Sequence, residues 1–564
     1  MPTLQRVGRV AWLLLALLWA WPLAAQPTEA PPMPKKLRIA LVPLDDRPVC
    51  LQYPQMMAPL AYAEVVAPPI GTLGRFTTPG DTVAVARWLR AQDWSRVDAL
   101  IVSIDMLAYG GLVASRVHGV DEPTALARLA VLDEIARAHP DLPVYAFSTL
   151  MRLAPTADGL NEAYREKLAR WAEVSADPRS PAERDEVAAL ESAVPAAALA
   201  DYRRARARNR AVNLASVQRT ASGVIDYLVV SQDDAKPRGV HLADRAAVTT
   251  AASGRNLVGR VGIQPGADEV AMLLLARAVL EARHLTPTMR ATFSSEAART
   301  MVAPFEDRQL HETVDFQLVA AGARRSRLGD PADLHLFVFA SRHDAGAPRQ
   351  FASDIVKAVA AGDRVIVADV DPKGDVQGAS PAFTEALLEA RVFPKLYGYA
   401  SWNTAGNTIG TAIPHGLLAW AGATLATRCT SPAFTALGDA QVTFMLHRLV
   451  NDYAYQGVLR PEVNADLRKA GRTSLWLKDH APEVAARLRE ALAPKLAEYA
   501  RAFMPGYMPP APRVTDLGVS VGAPRDLEVR LPWDRTFEAA ITFDVPVSAL
   551  MGPARRLPAC VPTP

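Results

Sequence analysis

Two adjacent aspartates, Asp233 and Asp234, end the apolar run "GVIDYLVV" within the segment "VSQDDAKPRG". Strand interiors disfavour Asp, so a carboxylate at a strand's exit serves either a turn or a site. Two carboxylates at one site repel each other and raise the pKa of at least one of them. One protonated and one ionised carboxyl is the division of labour that glycoside cleavage requires. Neighbours along a strand point to opposite faces. Both acids can therefore meet one substrate only if one of them lies past the strand, in a bend. Lys236 and Arg238 follow closely and are the expected partners of whichever acid stays ionised. Asp233 and Asp234 are the expected catalytic pair, or else one is catalytic and the other caps the turn.

Other strand ends carry the same residue types. Asp45, Asp46 and Arg47 follow the first apolar run, Arg75 the second, Asp105 and Arg116 the third, and Arg152 the fourth. Asp45, Asp46, Arg47, Asp105, Arg116, Arg152 and Arg238 are expected to bind substrate, the alternative being turn caps and local Asp–Arg pairs. Later in the chain stand "SRHD" (Arg342, His343, Asp344), "DVDPKGD" (Asp369, Asp371, Asp375) and "YASWNTAGNTIG". In the last of these, Trp402, Asn403 and Asn407 set amides beside an indole, a combination that suits vicinal hydroxyls and the apolar face of a sugar ring. The same residues could equally cap a helix and relieve a turn. "DVDPKGD" starts like a calcium loop, but Lys373 occupies a ligand position and Ser380 stands where the distal glutamate belongs. No His pair has zinc spacing, so no metal and no cofactor is expected. Asp268 and Glu269 in "GADEVAMLLLARAVL" suit the positive end of a helix dipole, a structural role.

The elements that must carry these residues alternate short β-rich runs with helical stretches, the pattern of a parallel α/β fold. Ten runs qualify: "LRIALVPL", "AEVVAPP", "VDALIVSI", "PVYAFST", "DYLVVS", "RVGIQ", "MRATFS", "LHLFVFA", "RVIVADV" and "KLYGYAS". Two doubly wound lobes or a (β/α)8 barrel with insertions would both accommodate them, and both gather strand-end polar groups on one face. Glycine-rich phosphate fingerprints are absent. The expected organisation is a linker over 26–36, an α/β region over 37–254 with a helical insertion at 156–222, and a second α/β region over 255–438. A helical region over 439–503 and a small β module over 513–550 follow.

With 564 residues, 50% hydrophobic and 21% charged, the chain is a multidomain globular protein rather than a disordered one. A net charge of +3 gives no clustered basic face for nucleic acid. Arg6 and Arg9, then "VAWLLLALLWAWPL", then "LAA" form a signal-peptide pattern over 1–25, which predicts a periplasmic or secreted protein with no membrane attachment after cleavage. Cys50, Cys429 and Cys560 form neither a disulfide framework nor a metal knuckle.

The blocks "LVPLDDRPV", "SIDMLAYGGLVASR", "SQDDAKPRG", "PGADEV" and "SWNTAGNTIGTAI" resemble a bacterial family known as a domain of unknown function, family 4127. That resemblance spans nearly all of the mature chain and implies a shared fold without a named activity. The Asp-Asp strand end with a later Trp/Asn loop is also similar to substrate-assisted N-acetylhexosaminidases built on (β/α)8 barrels. That likeness implies that Asp233 steers an acetamido group, Asp234 is the general acid, Asn403 and Asn407 bind hydroxyls, and Trp402 lines the sugar subsite. The expected function is an exported carbohydrate-active hydrolase acting on a small-molecule or carbohydrate substrate, an N-acetylated or acidic sugar among the candidates. The alternatives are a metal-assisted hydrolase of phosphate or amide bonds using Asp45, Asp105, Asp233 and Asp369, and a bilobal binding protein for an anionic solute.

Overall fold

A computed structural model describes residues 32–327, 329–426, 434–504 and 517–551. The proposed signal segment, Cys429 and Cys560 lie outside the described residues. Six strands form the first sheet: β1 (Leu37–Val42), β2 (Ala63–Val66), β3 (Ala99–Ser103), β4 (Val144–Leu150), β5 (Tyr227–Gln232) and β6 (Val261–Pro265). They lie in the order β2-β1-β3-β4-β5-β6 with every pairing parallel. The second sheet holds β7 (Thr288–Phe293), β8 (Arg324–Arg325), β9 (Leu334–Phe339), β10 (Val365–Asp369) and β11 (Gly398–Ala400), in the order β11-β10-β9-β7-β8, also all parallel. The fold is thus α/β with two open sheets, and the barrel arrangement is not adopted. The run "RVGIQ" pairs with β5, so the first sheet extends past residue 254. The ten expected runs all form strands. The two-residue β8 was not expected, because "RR" carries no apolar signal.

The sheets face each other across two helices that are buried almost all round. Val270–Ala282 packs on β1, β3 and β4, Ala405–Ala426 packs on β9, β10 and β11, and the two helices pack on each other. Their sequences, "VAMLLLARAVLEA" and "AGNTIGTAIPHGLLAWAGATLA", are apolar on every face, as a helix enclosed on all sides requires. One continuous core joins Ile39 and Ile101 of the first sheet, through Leu273, Leu274 and Ile413, to Leu336 and Ile366 of the second. Separate cores cover the outer faces of both sheets.

Between β4 and β5 lie the helices Arg165–Val174, Pro181–Ala193 and Ala196–Ala221. The longest packs on β4 and β5 and braces the loop after β4: Tyr202 donates to the Leu153 carbonyl at 3.0 Å and Arg206 to that of Arg152 at 2.6 Å. This insertion positions Arg152 instead of merely covering the loops. The helical region is present as Thr435–Arg448, Arg460–Lys469 and Ala481–Ala500, with a π-helical stretch at Leu449–Leu459. The C-terminal strands β12 (Leu517–Val521), β13 (Arg525–Arg530), β14 (Ala540–Asp544) and β15 (Val547–Met551) pair antiparallel as β12-β15 and β13-β14.

Candidate functional site

Strand β5 ends at Gln232, so both aspartates lie beyond the ladder. Asp234 has φ +34°, a left-handed turn that breaks the alternation of faces and lets both acids line one cavity. That cavity, ≈ 30 Å³, lies between the carboxyl ends of the two sheets. The first sheet contributes Asp233 and Asp234 from the β5 exit and Gly266, Ala267 and Asp268 from the β6 exit. From the second half come Phe305, Glu306, Asn403, Thr404 and Asn407. The aspartate pair and the Asn-rich loop, far apart in sequence, therefore share one wall. Phe305 and Asn403 also have positive φ, at +68° and +56°. Three such residues around one small cavity store about 1–3 kcal/mol of backbone strain each, a cost that clusters at functional sites.

Each aspartate is held by an arginine from a neighbouring strand end. Arg116 donates to Asp233 Oδ2 through Nε at 3.1 Å and Nη2 at 2.6 Å, and Arg152 Nη1 donates to Asp234 Oδ2 at 2.6 Å. Burial pushes the Asp233 carboxyl up while Arg116 pulls it back. Lys236 and Arg238, the expected partners, reach outward over the inserted helices to Glu173 and Glu183. Arg238 is thus not part of the cavity. The guanidiniums that meet the pair come from the segments after β3 and β4, which sequence proximity does not reveal.

Two glutamates complete the site. Glu306, 3% exposed, accepts from the Gly406 N–H through Oε1 at 2.8 Å, while its Oε2 is buried without a protein partner. Burial, with the nearby charges of Glu269 and Asp234, pushes it up to about 8. Glu269 is fully buried and accepts from Asn407 Nδ2 at 2.8 Å, Gln317 Nε2 at 3.2 Å and the Ala267 N–H at 3.2 Å. Burial and the adjacent Asp268 push it to about 8 as well. Its carboxyl fits only because Gly266 and Gly410 lack side chains: a Cβ there would stand 1.7 Å from Glu269 Oε1 and 2.2 Å from its Cγ. Asn407 joins the halves of the site, since its Nδ2 donates to Glu269 after β6 while its Oδ1 accepts from Asn403 Nδ2 at 2.6 Å.

The β1 exit forms the adjoining wall. Arg47 donates to Asp45 at 2.7 Å and to Asp268 at 2.6 Å and lies 4.7 Å over the Trp533 ring. Asp46 accepts from Trp533 Nε1 at 2.6 Å, and burial pushes its carboxyl to about 6. Asp46 opens instead onto a separate groove of ≈ 790 Å³ beside Arg75, Arg489 and Arg530. That groove is far larger, but of the candidate acids only Asp46 reaches it, whereas Asp233 and Asp234 line the smaller cavity. Asp105 is 1% exposed and accepts from the Thr149 N–H at 2.8 Å, with burial pushing it to about 7. It braces the β3 and β4 exits behind Asp233 and does not line the cavity.

Trp402 departs from its expected role. Its indole N–H donates to Thr411 at 3.0 Å and its ring packs edge-on against Tyr53 in the central core. The alternation of faces at the β11 exit turns the indole inward and Asn403 outward. No sugar face can reach the indole through this cavity. Asp369 and Asp371 lie at the β10 exit, both bound by Arg342. Among the described residues, no three His, Cys, Asp or Glu side chains are grouped to hold a metal ion.

Sequence reasoning assigned Asp268 and Glu269 a structural role and passed over Glu306. The "PGADEV" block was visible as a unit, whereas "PFEDRQ" offers no signal that Glu306 is buried. No curated protein matches the chain. A family profile described as "Protein of unknown function (DUF4127)" matches residues 39–542, and the chain belongs to that family.

Proposed function

We propose that the protein is a glycoside hydrolase whose site is the cavity between the sheet ends. One observation carries this reading: Glu306, with a free buried oxygen and a pKa near 8, lines the same cavity as the arginine-paired Asp233 and Asp234. This sets a carboxylic acid that burial keeps protonated beside carboxyls paired with guanidiniums, the division that glycosidic cleavage uses. Glu306 donates its proton to the leaving oxygen. Asp234, ion-paired with Arg152, is the base or nucleophile, and Asp233 orients the substrate. The acid role thus moves from Asp234 to Glu306, because a short ion pair to a guanidinium favours the carboxylate form. Asn403 and Asn407 supply neutral hydrogen bonds to ring hydroxyls.

The continuous core joining the two sheets disfavours the alternative of a binding protein that closes two lobes on a hinge. The N-terminal signal pattern supports export of the mature chain. Among the described residues no helix is long and apolar enough to cross a membrane. The test is a screen of the mature chain, from Gln26 onward, on chromogenic glycosides, with Glu306→Gln in parallel. Turnover lost in the variant supports the reading. No turnover on any glycoside, or turnover that survives in Glu306→Gln, overturns it.

A further inference from the structure

The walls of the cavity are lopsided in charge. Asp233, Asp234, Asp268 and Glu306 line it, and no Lys, Arg or His does. The neighbouring arginines are already committed. Every guanidinium nitrogen of Arg116 donates to Asp233 or Thr156, and every one of Arg152 to Asp234 or to the carbonyls of Ala154 and Pro155. Every one of Arg47 donates to Asp45 or Asp268. Asp45, Asp233, Asp234 and Asp268 outnumber these three guanidiniums even when both glutamates hold their protons.

What the side chains leave unused is chiefly acceptor capacity. Among the described residues, Asp233 and Asp234 each receive their hydrogen bonds on Oδ2 and none on Oδ1. Glu306 Oε2, in a residue 3% exposed, has no partner at all. The open Oδ1 atoms of Asp233 and Asp234 are acceptors, so a donor brought by a ligand gains by meeting them. The cavity has room for a small polar group such as a primary ammonium.

Building on the hydrolase reading, we infer that the cavity recognises a protonated primary amine, and that the substrate is a glycoside of an amino sugar whose amine is free. The ammonium sits against the open oxygens of Asp233 and Asp234 and supplies the positive charge that the cavity wall lacks. On a 2-amino sugar that nitrogen is one carbon from the anomeric centre, which brings the scissile bond to the rim where Glu306 stands. An acidic sugar would add a carboxylate to a wall already in excess of carboxylates, and an acetamido group brings no positive charge to offset them.

The experiment is calorimetric titration of the full mature chain with three probes at pH 6.5: a chitosan tetramer, the fully N-acetylated tetramer, and tetragalacturonate. The chitosan tetramer is expected to bind, with the other two at least about tenfold weaker, as loss of a charge-assisted hydrogen bond implies. Asp234→Asn is the variant of choice, because Asn tolerates a left-handed backbone and the residue is partly exposed. It should weaken the chitosan tetramer about tenfold while its melting temperature stays at the wild-type value. Equal or tighter binding of the acetylated or uronic tetramer overturns the inference, as does no binding of the chitosan tetramer. Chitosan binding without cleavage would leave the inference standing and remove the hydrolase reading. Cleavage confined to acetylated or uronic chains would do the reverse.

Discussion

The exits of β5 and β10 carry nearly the same residues and do different things. Each places two aspartates beside an arginine at the carboxyl end of a parallel strand. At β10 every carboxylate oxygen is occupied. Asp369 accepts from Arg342 at 3.2 Å and from the Ser380 N–H at 2.6 Å. Asp371 accepts from the N–H groups of Lys373, Val376 and Gln377 at 2.9, 3.0 and 3.3 Å. At β5 each aspartate meets one guanidinium and keeps an oxygen for the cavity. Acid content and strand-end position do not separate a scaffold from a site. Unspent hydrogen-bonding capacity does.

The sharpest break in this comparison is expected at Glu306. Glu306→Gln preserves shape and, on the glycosidase proposal, should lower turnover about 10²–10⁴-fold on any glycoside found to be cleaved, with little change in melting temperature. The converse holds at β10. Asp369→Ala removes one of the two carboxylates that Arg342 meets and strips the buried Ser380 N–H of its acceptor, and should cost about 1–3 kcal/mol of stability in denaturant unfolding. An Asp369→Ala protein that melts at the wild-type temperature would contradict the scaffold role.

The two exits should also respond to pH with opposite sign. Glu269 and Glu306 have native values near 8, above the ordinary 4.5. They hold protons in the folded state that unfolding releases. Their contribution is complete below about pH 4.5 and is lost as pH rises toward 8, by up to about 1.4 kcal/mol per pH unit for each group. Glu269→Gln should flatten that alkaline decline. At β10, burial works against Asp371, but Arg342 and three backbone N–H groups hold it below its ordinary 3.8. Its contribution is present above that value and is lost as pH falls, so Asp371→Asn should flatten the acid limb instead. Urea unfolding from pH 3 to 9 reads both. The smallest effect is expected from Arg238→Ala, which should leave ligand binding and turnover unchanged because Arg238 pairs with Glu183 away from the cavity.

Strand runs were legible because parallel strands buried on both faces read as unbroken apolar segments, as in "LRIALV" and "LHLFVF". The sheet assignment was less so. "RVGIQ" follows the gap that suggested a domain boundary, and only its pairing with β5 places it in the first sheet. Within the site, Asp233, Asp234, Asn403 and Asn407 were visible as strand-end polar residues. Which arginine meets which aspartate was not, since Arg116 and Arg152 arrive from other strands and closer cations sit at Lys236 and Arg238. Trp402 was misplaced because an aromatic beside amides reads as a binding platform until its rotation about the strand is known. Glu306 was invisible. Its burial depends on Gly406 and on the packing of a loop whose own sequence is polar.

The buried helix Val270–Ala282 sets a schedule for biosynthesis. Its apolar surface leaves the ribosome well before Ala405–Ala426, the helix that covers it, has been made. The first sheet therefore emerges as a half-finished sandwich with a sticky inner face, a natural client for holdase chaperones. Neither half should be obtainable alone in soluble form. A chain whose central helices pair only once its last third has been made is one whose two halves fold together or not at all.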